Sequence, residues 1–168
     1  MIHVCSLPRL HRTVEETGAR YVVTLMKDIN KVERPAAIDA KNHLHIRMDD
    51  ITCPIDGYEH PCEEHVARLI AFVKGWDRSA PIVIHCFAGI SRSTAAAYAA
   101  GCAISPRRDE MEIAQHMRRA SPTAMPNILI VSLADRLLER QGRMVAAIGS
   151  IGPGEMAYEA EPFLLDVK

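Results

Sequence analysis

Cys86, Arg92 and Ser93 are the residues whose types and spacing are best suited to joint chemistry. Five residues separate Cys86 from Arg92, and Gly89 lies among them. A thiolate is a strong nucleophile when an anion-binding loop surrounds it. The planar Arg92 fork can hold two oxygens of a phosphate group, which Lys does less well. Ser93 can donate a hydrogen bond to the sulfur and make it a better leaving group. The spacing alone is weak, because Cys62 and Arg68 repeat it, as do Cys102 and Arg108. Those pairs fail on physics. Glu63 and Glu64 would repel an anion beside Cys62, and Cys102 sits near the negative end of a predicted helix. Neither pair encloses a glycine.

A nucleophilic loop of this kind needs a strand before it and a helix after it. Pro81–His85, with Ile82, Val83 and Ile84, reads as a strand buried on both faces. Arg92–Ile104 reads as an Ala-rich helix slim enough to lie close to a sheet. Between them Cys86–Ser91 is a loop, and Gly89 allows it to turn. The free N–H groups of loop and helix start then form an anion nest that favours the thiolate. A free Cys at a strand end is most often simply a small buried side chain; here the glycine, the helix and Arg92 argue otherwise.

The remaining elements follow from periodicity and turn chemistry. Strands are expected at Ile2–Leu7, Arg20–Met26 and His43–Met48. Helices are expected at Pro8–Gly18, Pro35–Ala40, Pro61–Trp76, Pro106–Arg119 with Ser105 as cap, and finally Asn127–Gln141. In the last of these, Leu129, Leu133 and Leu137 fall on one stripe. Asp49–His60 and Ser121–Pro126 read as loops. Residues 142–168 carry Gly142, Gly149, Gly152, Pro153 and Gly154 and read as an irregular tail. Strands alternating with helices predict an α/β fold around a mostly parallel central sheet.

Composition narrows the function classes. The 168 residues hold 20 Lys plus Arg and 21 Asp plus Glu, a formal net charge of −1. That balance argues against a broad nucleic-acid or membrane footprint while leaving room for one small anion pocket. Neither nucleic acid nor a membrane is therefore an expected partner. No stretch is apolar for long enough to span a bilayer, and the first residues do not read as a secretory signal. Five Cys without a secretory context predict free thiols in the cytoplasm.

His85-Cys86-Phe87-Ala88-Gly89-Ile90-Ser91-Arg92-Ser93 resembles the active-site signature of the cysteine-dependent protein tyrosine and dual-specificity phosphatases. The resemblance covers residues 1–141, a phosphatase domain, with 142–168 as a C-terminal tail packed on it. It implies a four- or five-stranded sheet, a phosphocysteine mechanism and no metal or other cofactor. Phe87, Ala88, Gly89, Ile90, Ser91 and Arg92 would bind the phosphate, and His85 would orient the loop. Phosphorylated protein or a small phosphoester would be the substrate. The family also places an acidic residue on a loop some thirty-odd residues before the Cys. Asp49, Asp50 and Asp56 lie in that range. The expectation is that Asp50 is the general acid, that Asp49 braces the loop or Arg92, and that Asp56 is the reserve.

Rival readings are a phosphate-binding pseudophosphatase, a phosphoinositide phosphatase, and a rhodanese- or arsenate-reductase-like sulfur enzyme. The uncharged Phe87, Ala88 and Ile90 lean toward phosphoprotein. His43 and His45 share a strand face, and His60, Cys62 and His65 cluster, but their spacing fits no zinc finger. Cys53, on the acid loop, could form a disulfide with Cys86 under oxidation. Asn127 is expected to cap a helix or brace a loop.

Overall fold

The apolar runs become the strands of one sheet, seen in a computed structural model that describes residues 1–167. The strands are β1 (Ile2–Ser6), β2 (Tyr21–Leu25), β3 (His43–Ile46), β4 (Ile82–Cys86) and β5 (Phe163–Leu165). Their order is β3-β2-β4-β1-β5. The first four run parallel, and β5 lies antiparallel on β1. The fold is α/β, with a mostly parallel sheet flanked by helices.

β4 is central and buried along its whole length, as its unbroken apolar run requires. Its C-terminal end opens where β1 and β2 also end, the edge at which such sheets bind ligands. One face of the sheet is covered by α1 (Leu10–Thr17), through Leu10 and Val14 against Val22 and Val83. The other face carries α2 (Glu63–Gly75), α3 (Arg92–Ile104), α4 (Glu110–Ala120), α5 (Ile128–Leu137) and α6 (Arg143–Ile151). Ser93 through Ile104 are all buried. A helix sealed all round must be small and apolar, which accounts for the alanines of α3.

Several local expectations need correction. Residues 142–168 are not irregular throughout: α6 and β5 form there. Gly142, at φ 85°, starts α6, and Gly152, at φ 66°, ends it. Pro35–Ala40 is a turn rather than a helix, followed by a short 3-10 segment at Ala40–Asn42. The helix expected from Pro106 begins at Glu110. Its cap is Asp109, whose carboxylate accepts from the Met111 and Glu112 N–H groups. Ser105 instead ends α3 and donates its hydroxyl to the Val167 carbonyl. The Asn127 helix stops at Leu137, which is exposed, so Ile130, Val131, Leu133 and Ala134 make the buried face.

α4 and α6 are joined through charge. The buried Glu110 carboxylate pairs with Arg140 at 2.9 Å and Arg143 at 3.2 Å. Such a buried group needs its partners, since an orphaned charge there costs about 3–5 kcal/mol. No helix among the described residues is long and apolar enough to cross a membrane.

Candidate active site

β4 delivers Cys86 at its last position, and α3 begins six residues later at Arg92. The loop between them is shaped from outside. The Phe87 carbonyl accepts from Leu7 N–H, Ala88 from Ala160 N–H, and Ile90 from Met125 N–H. The Ser91 carbonyl accepts from the N–H groups of Ala95 and Asn127. In a planar trans peptide the N–H points opposite to the C=O. The N–H groups of Ala88, Gly89, Ser91 and Arg92 therefore point away from these scaffold partners, toward the loop interior, as an anion nest requires.

Gly89 adopts φ +75°, and a Cβ there would sit 2.9 Å from the backbone of Cys5 and Ser6. Only glycine allows the loop to lie this close to the end of β1. Cys86 is buried, and its Sγ is 3.1 Å from Ser93 Oγ. Burial pushes the Cys5 and Cys102 thiols up to about 12. Of the two decoy pairs, Cys62 only precedes α2, while Arg68 turns to the His45 carbonyl.

Arg92 is largely buried and donates from Nη1 to the Met48 carbonyl at 3.0 Å. Its Nε lies 3.7 Å from Asp50 Oδ2, too far for a hydrogen bond. The guanidinium is thus anchored at one end with donors left for an oxyanion. Asp50 comes to the same point from the loop after β3. Its Oδ1 accepts from Ser91 Oγ at 2.8 Å and from Asn127 Nδ2 at 2.9 Å.

Asp49 faces another way. Its Oδ2 accepts from Glu59 N–H at 2.8 Å and pairs with Lys27 at 3.0 Å. Burial pulls its carboxyl upward, but the Glu59 hydrogen bond and the Lys27 and Arg92 charges hold it below the usual value. Asp56 is exposed, and no contact draws it to Cys86. Asn127 both caps α5, accepting from Leu129 and Ile130 N–H, and braces the acid loop at Asp50 and the Ile51 carbonyl.

His85 is sealed from solvent, and burial pushes its ring down to about 3. Its Nε2 meets Thr24 Oγ at 2.7 Å. Cys53 is exposed and lines a groove beside Asp50 with Ile55, Met125 and Ile128. Among the described residues no three His, Cys, Asp or Glu side chains are grouped to hold a metal ion.

Sequence reasoning missed three supports: Thr24 behind His85, the Met48 carbonyl on Arg92, and residues 159–160. In that last segment Glu159 accepts from Ser6 Oγ at 2.6 Å and Ala160 bonds the loop at Ala88. None has a local motif, because each reaches the site from a distant part of the chain.

Comparisons with known proteins bear on the whole arrangement. No curated protein sequence matches the chain. Its fold is similar to that of the Cydia pomonella PTP-2 phosphatase, with a TM-score of 0.63 at 19% identity, covering 80% of this chain and 84% of that one. It is similar also to human DUSP28, with a TM-score of 0.64 at 16% identity over 83% and 92% of the two chains. PTPMT1, seen in complex with PI(5)P, gives 0.62 at 14% identity over 87% and 93%. Residues 7–102 match the family described as Tc-R-P, polymorphic toxin system, DSP-PTPase phosphatase. With more than half its length matched, the chain belongs to this Tc-R-P family of DSP-PTPase phosphatases.

Proposed function

We propose that the chain hydrolyses phosphomonoesters on proteins, as a tyrosine- or dual-specificity-type phosphatase with a phosphocysteine intermediate. The carrying observation is the convergence on one nest of Cys86, Ser93, Arg92 and Asp50. The Cys86 thiolate attacks phosphorus in line, and the bond to the leaving oxygen breaks. Loop N–H groups and Arg92 stabilise the equatorial oxygens. Protonated Asp50 gives its proton to the leaving oxygen. Asp50, now ionised, takes a proton from water, which attacks the phosphocysteine. Sulfur leaves as a thiolate, assisted by Ser93, and inorganic phosphate departs. No cofactor enters either step.

The surroundings favour a protein substrate over a polyanionic one. The groove beside Asp50 and Ser91 holds about 610 Å³ and is walled by Ile55, Met125 and Ile128 with no Lys or Arg in its lining. Phe87 stands exposed on the phosphate loop itself. Nearby cations are already paired, Lys27 with Asp49 and Arg47 with Glu59. An apolar rim with neutralised cations suits a peptide flank better than a second phosphate. A reducing cytoplasm suits the five unpaired cysteines. Residues 142–167 belong to the catalytic unit, since Ala160 supports the loop.

The deciding experiment measures turnover of phosphotyrosine and phosphothreonine peptides, a phosphoinositide and a nucleotide by wild type and Cys86→Ser. Wild type should prefer peptides, and acid-quenched enzyme should carry one phosphoryl group on Cys86. Activity retained by Cys86→Ser would overturn the mechanism. Tungstate binding without turnover would establish a binding protein instead.

A further inference from the structure

Three side chains on three adjoining strands form one hydrogen-bonded row behind the nucleophile. Thr24 Oγ on β2 lies 2.7 Å from His43 Nε2 on β3 and 2.7 Å from His85 Nε2 on β4. Parallel pairing places Thr24 directly beside His85. Thr24 and His85 are sealed from solvent, while His43 is half-buried at the edge strand.

A threonine hydroxyl has one proton. It can donate to only one of the two rings, so the other ring must donate to it. Two nitrogen lone pairs facing the same oxygen would leave one contact repulsive at 2.7 Å. Two ring N–H groups would strand the hydroxyl proton, because no other acceptor is bonded to it among the described residues. The two imidazoles therefore carry opposite protonation at Nε2.

The buried end of the row shows which way it runs. Burial keeps the His85 ring neutral, so it bears one proton. The Cys86 backbone favours a proton on that ring. Nε2 faces Thr24, so the nitrogen open to that influence is Nδ1, which is buried and makes no close hydrogen bond of its own. A proton on Nδ1 fits the row and the Cys86 backbone together. His85 Nε2 accepts from Thr24, and Thr24 accepts from His43 Nε2–H.

We propose that His43 is a positioning residue: its donation to Thr24 directs the single hydroxyl proton to His85 and holds His85 as the Nδ1–H tautomer beside Cys86. Without that donor, Thr24 could either give to His85 or receive from it, and the tautomer would be released. Charges acting on His43 come from His45 and Arg34, and those acting on His85 from His43, His45 and Arg92. The row is indifferent to the charge state of His43, because Nε2 donates in the neutral Nε2–H form and in the imidazolium alike. The catalytic use of this row rests on Cys86 as nucleophile; the tautomer itself does not.

The test is nitrogen NMR of histidine-labelled protein. Wild-type His85 should show one tautomer, protonated at Nδ1. His43→Ala and His43→Leu, the latter keeping the edge strand packed, should give a mixture at His85. His43→Gln, which can still present an N–H donor, should restore the single form. Turnover should fall about three- to tenfold in the Ala and Leu variants, the rate equivalent of one hydrogen bond, with KM unchanged and recovery in Gln. A wild-type His85 protonated at Nε2, or an Nδ1–H signal unchanged in both His43→Ala and His43→Leu, would overturn the proposal. The nitrogen shifts are read in the resting protein, so they assign the tautomer even if Cys86 chemistry fails in the turnover assay.

Discussion

Asp50 Oδ1 accepts a 2.8 Å hydrogen bond from Ser91 Oγ, which joins the loop after β3 to the Cys86–Ser91 loop through side chains alone. Under the proposed mechanism this registers the acid, Asp50, against the place where the leaving oxygen would sit. Asp50→Asn keeps an acceptor for Ser91 and Asn127 but carries no proton. Its kcat should fall about 10²–10⁴-fold while tungstate still binds. Asp49→Asn should lower turnover far less, because Asp49 serves Glu59 N–H and Lys27. Full activity in Asp50→Asn, measured on an aryl phosphate, would move the acid to Asp49 or Asp56.

Asn127 holds a helix and a loop with opposite ends of one amide. Its oxygen caps α5, and its nitrogen reaches Asp50 and the Ile51 carbonyl. Asn127→Ala should cost about 1 kcal/mol of stability through the lost cap, and turnover as well. Asn127→Asp keeps a capping oxygen and removes the donor. Thermal melts should find it less stable than wild type despite the kept cap, because the new carboxylate oxygen faces Asp50 and the Ile51 carbonyl, and kinetics should find it as impaired as the Ala variant.

Gly89 is the position where an added methyl group is least tolerable. At φ +75° with backbone 2.9 Å from the Cβ position, Gly89→Ala must move the loop away from β1. A shift of this kind costs about 1–3 kcal/mol and misdirects the N–H groups. Calorimetry with tungstate should register lost binding, alongside a lowered melting temperature. Normal tungstate affinity in Gly89→Ala would show that the nest does not depend on this turn.

His85 makes stability acid-sensitive well above the carboxylate range. The unfolded chain takes up that proton near 6.5, whereas the native ring resists it to about 3. The unfolded state therefore binds more protons between those values, and stability is lost as pH falls through that window. The slope is up to about 1.4 kcal/mol per pH unit. His3, His43 and His65, all lowered chiefly by burial, act in the same direction. Urea melts of wild type and His85→Gln from pH 7 to 4 should show a shallower decline in the variant. Parallel curves would exclude His85 as a source.

The proposed nucleophile Cys86 and the proposed oxyanion holder Arg92 were legible because they lie in one continuous segment. The Ile82–Ile84 run, Gly89 and the alanines after Arg92 each state their own local structure. Asp50 was legible only as one of three carboxylates; Asp49 separates from it through Lys27 and Glu59, which no spacing reveals. α6 and β5 were lost among glycines, since β5 is a strand only because β1, at the other end of the chain, offers it an edge. Ser105 and Pro106 mimicked a helix start, while the real cap, Asp109, lay a few residues on. Thr24 gave no signal and His43 only the strand face it shares with His45, because a hydrogen-bonded row across strands depends on sheet order and not on sequence neighbours.

Ala160 places the Ala88 carbonyl, and β5 seals β1 behind it. This sets an order of events during synthesis. β1 to α3 leave the ribosome before residue 160, so this part can collapse with Cys86 and Arg92 already present. The phosphate loop acquires its final outline only when the segment around Ala160 emerges and docks. Any dephosphorylation the loop performs would then wait on the segment around Ala160.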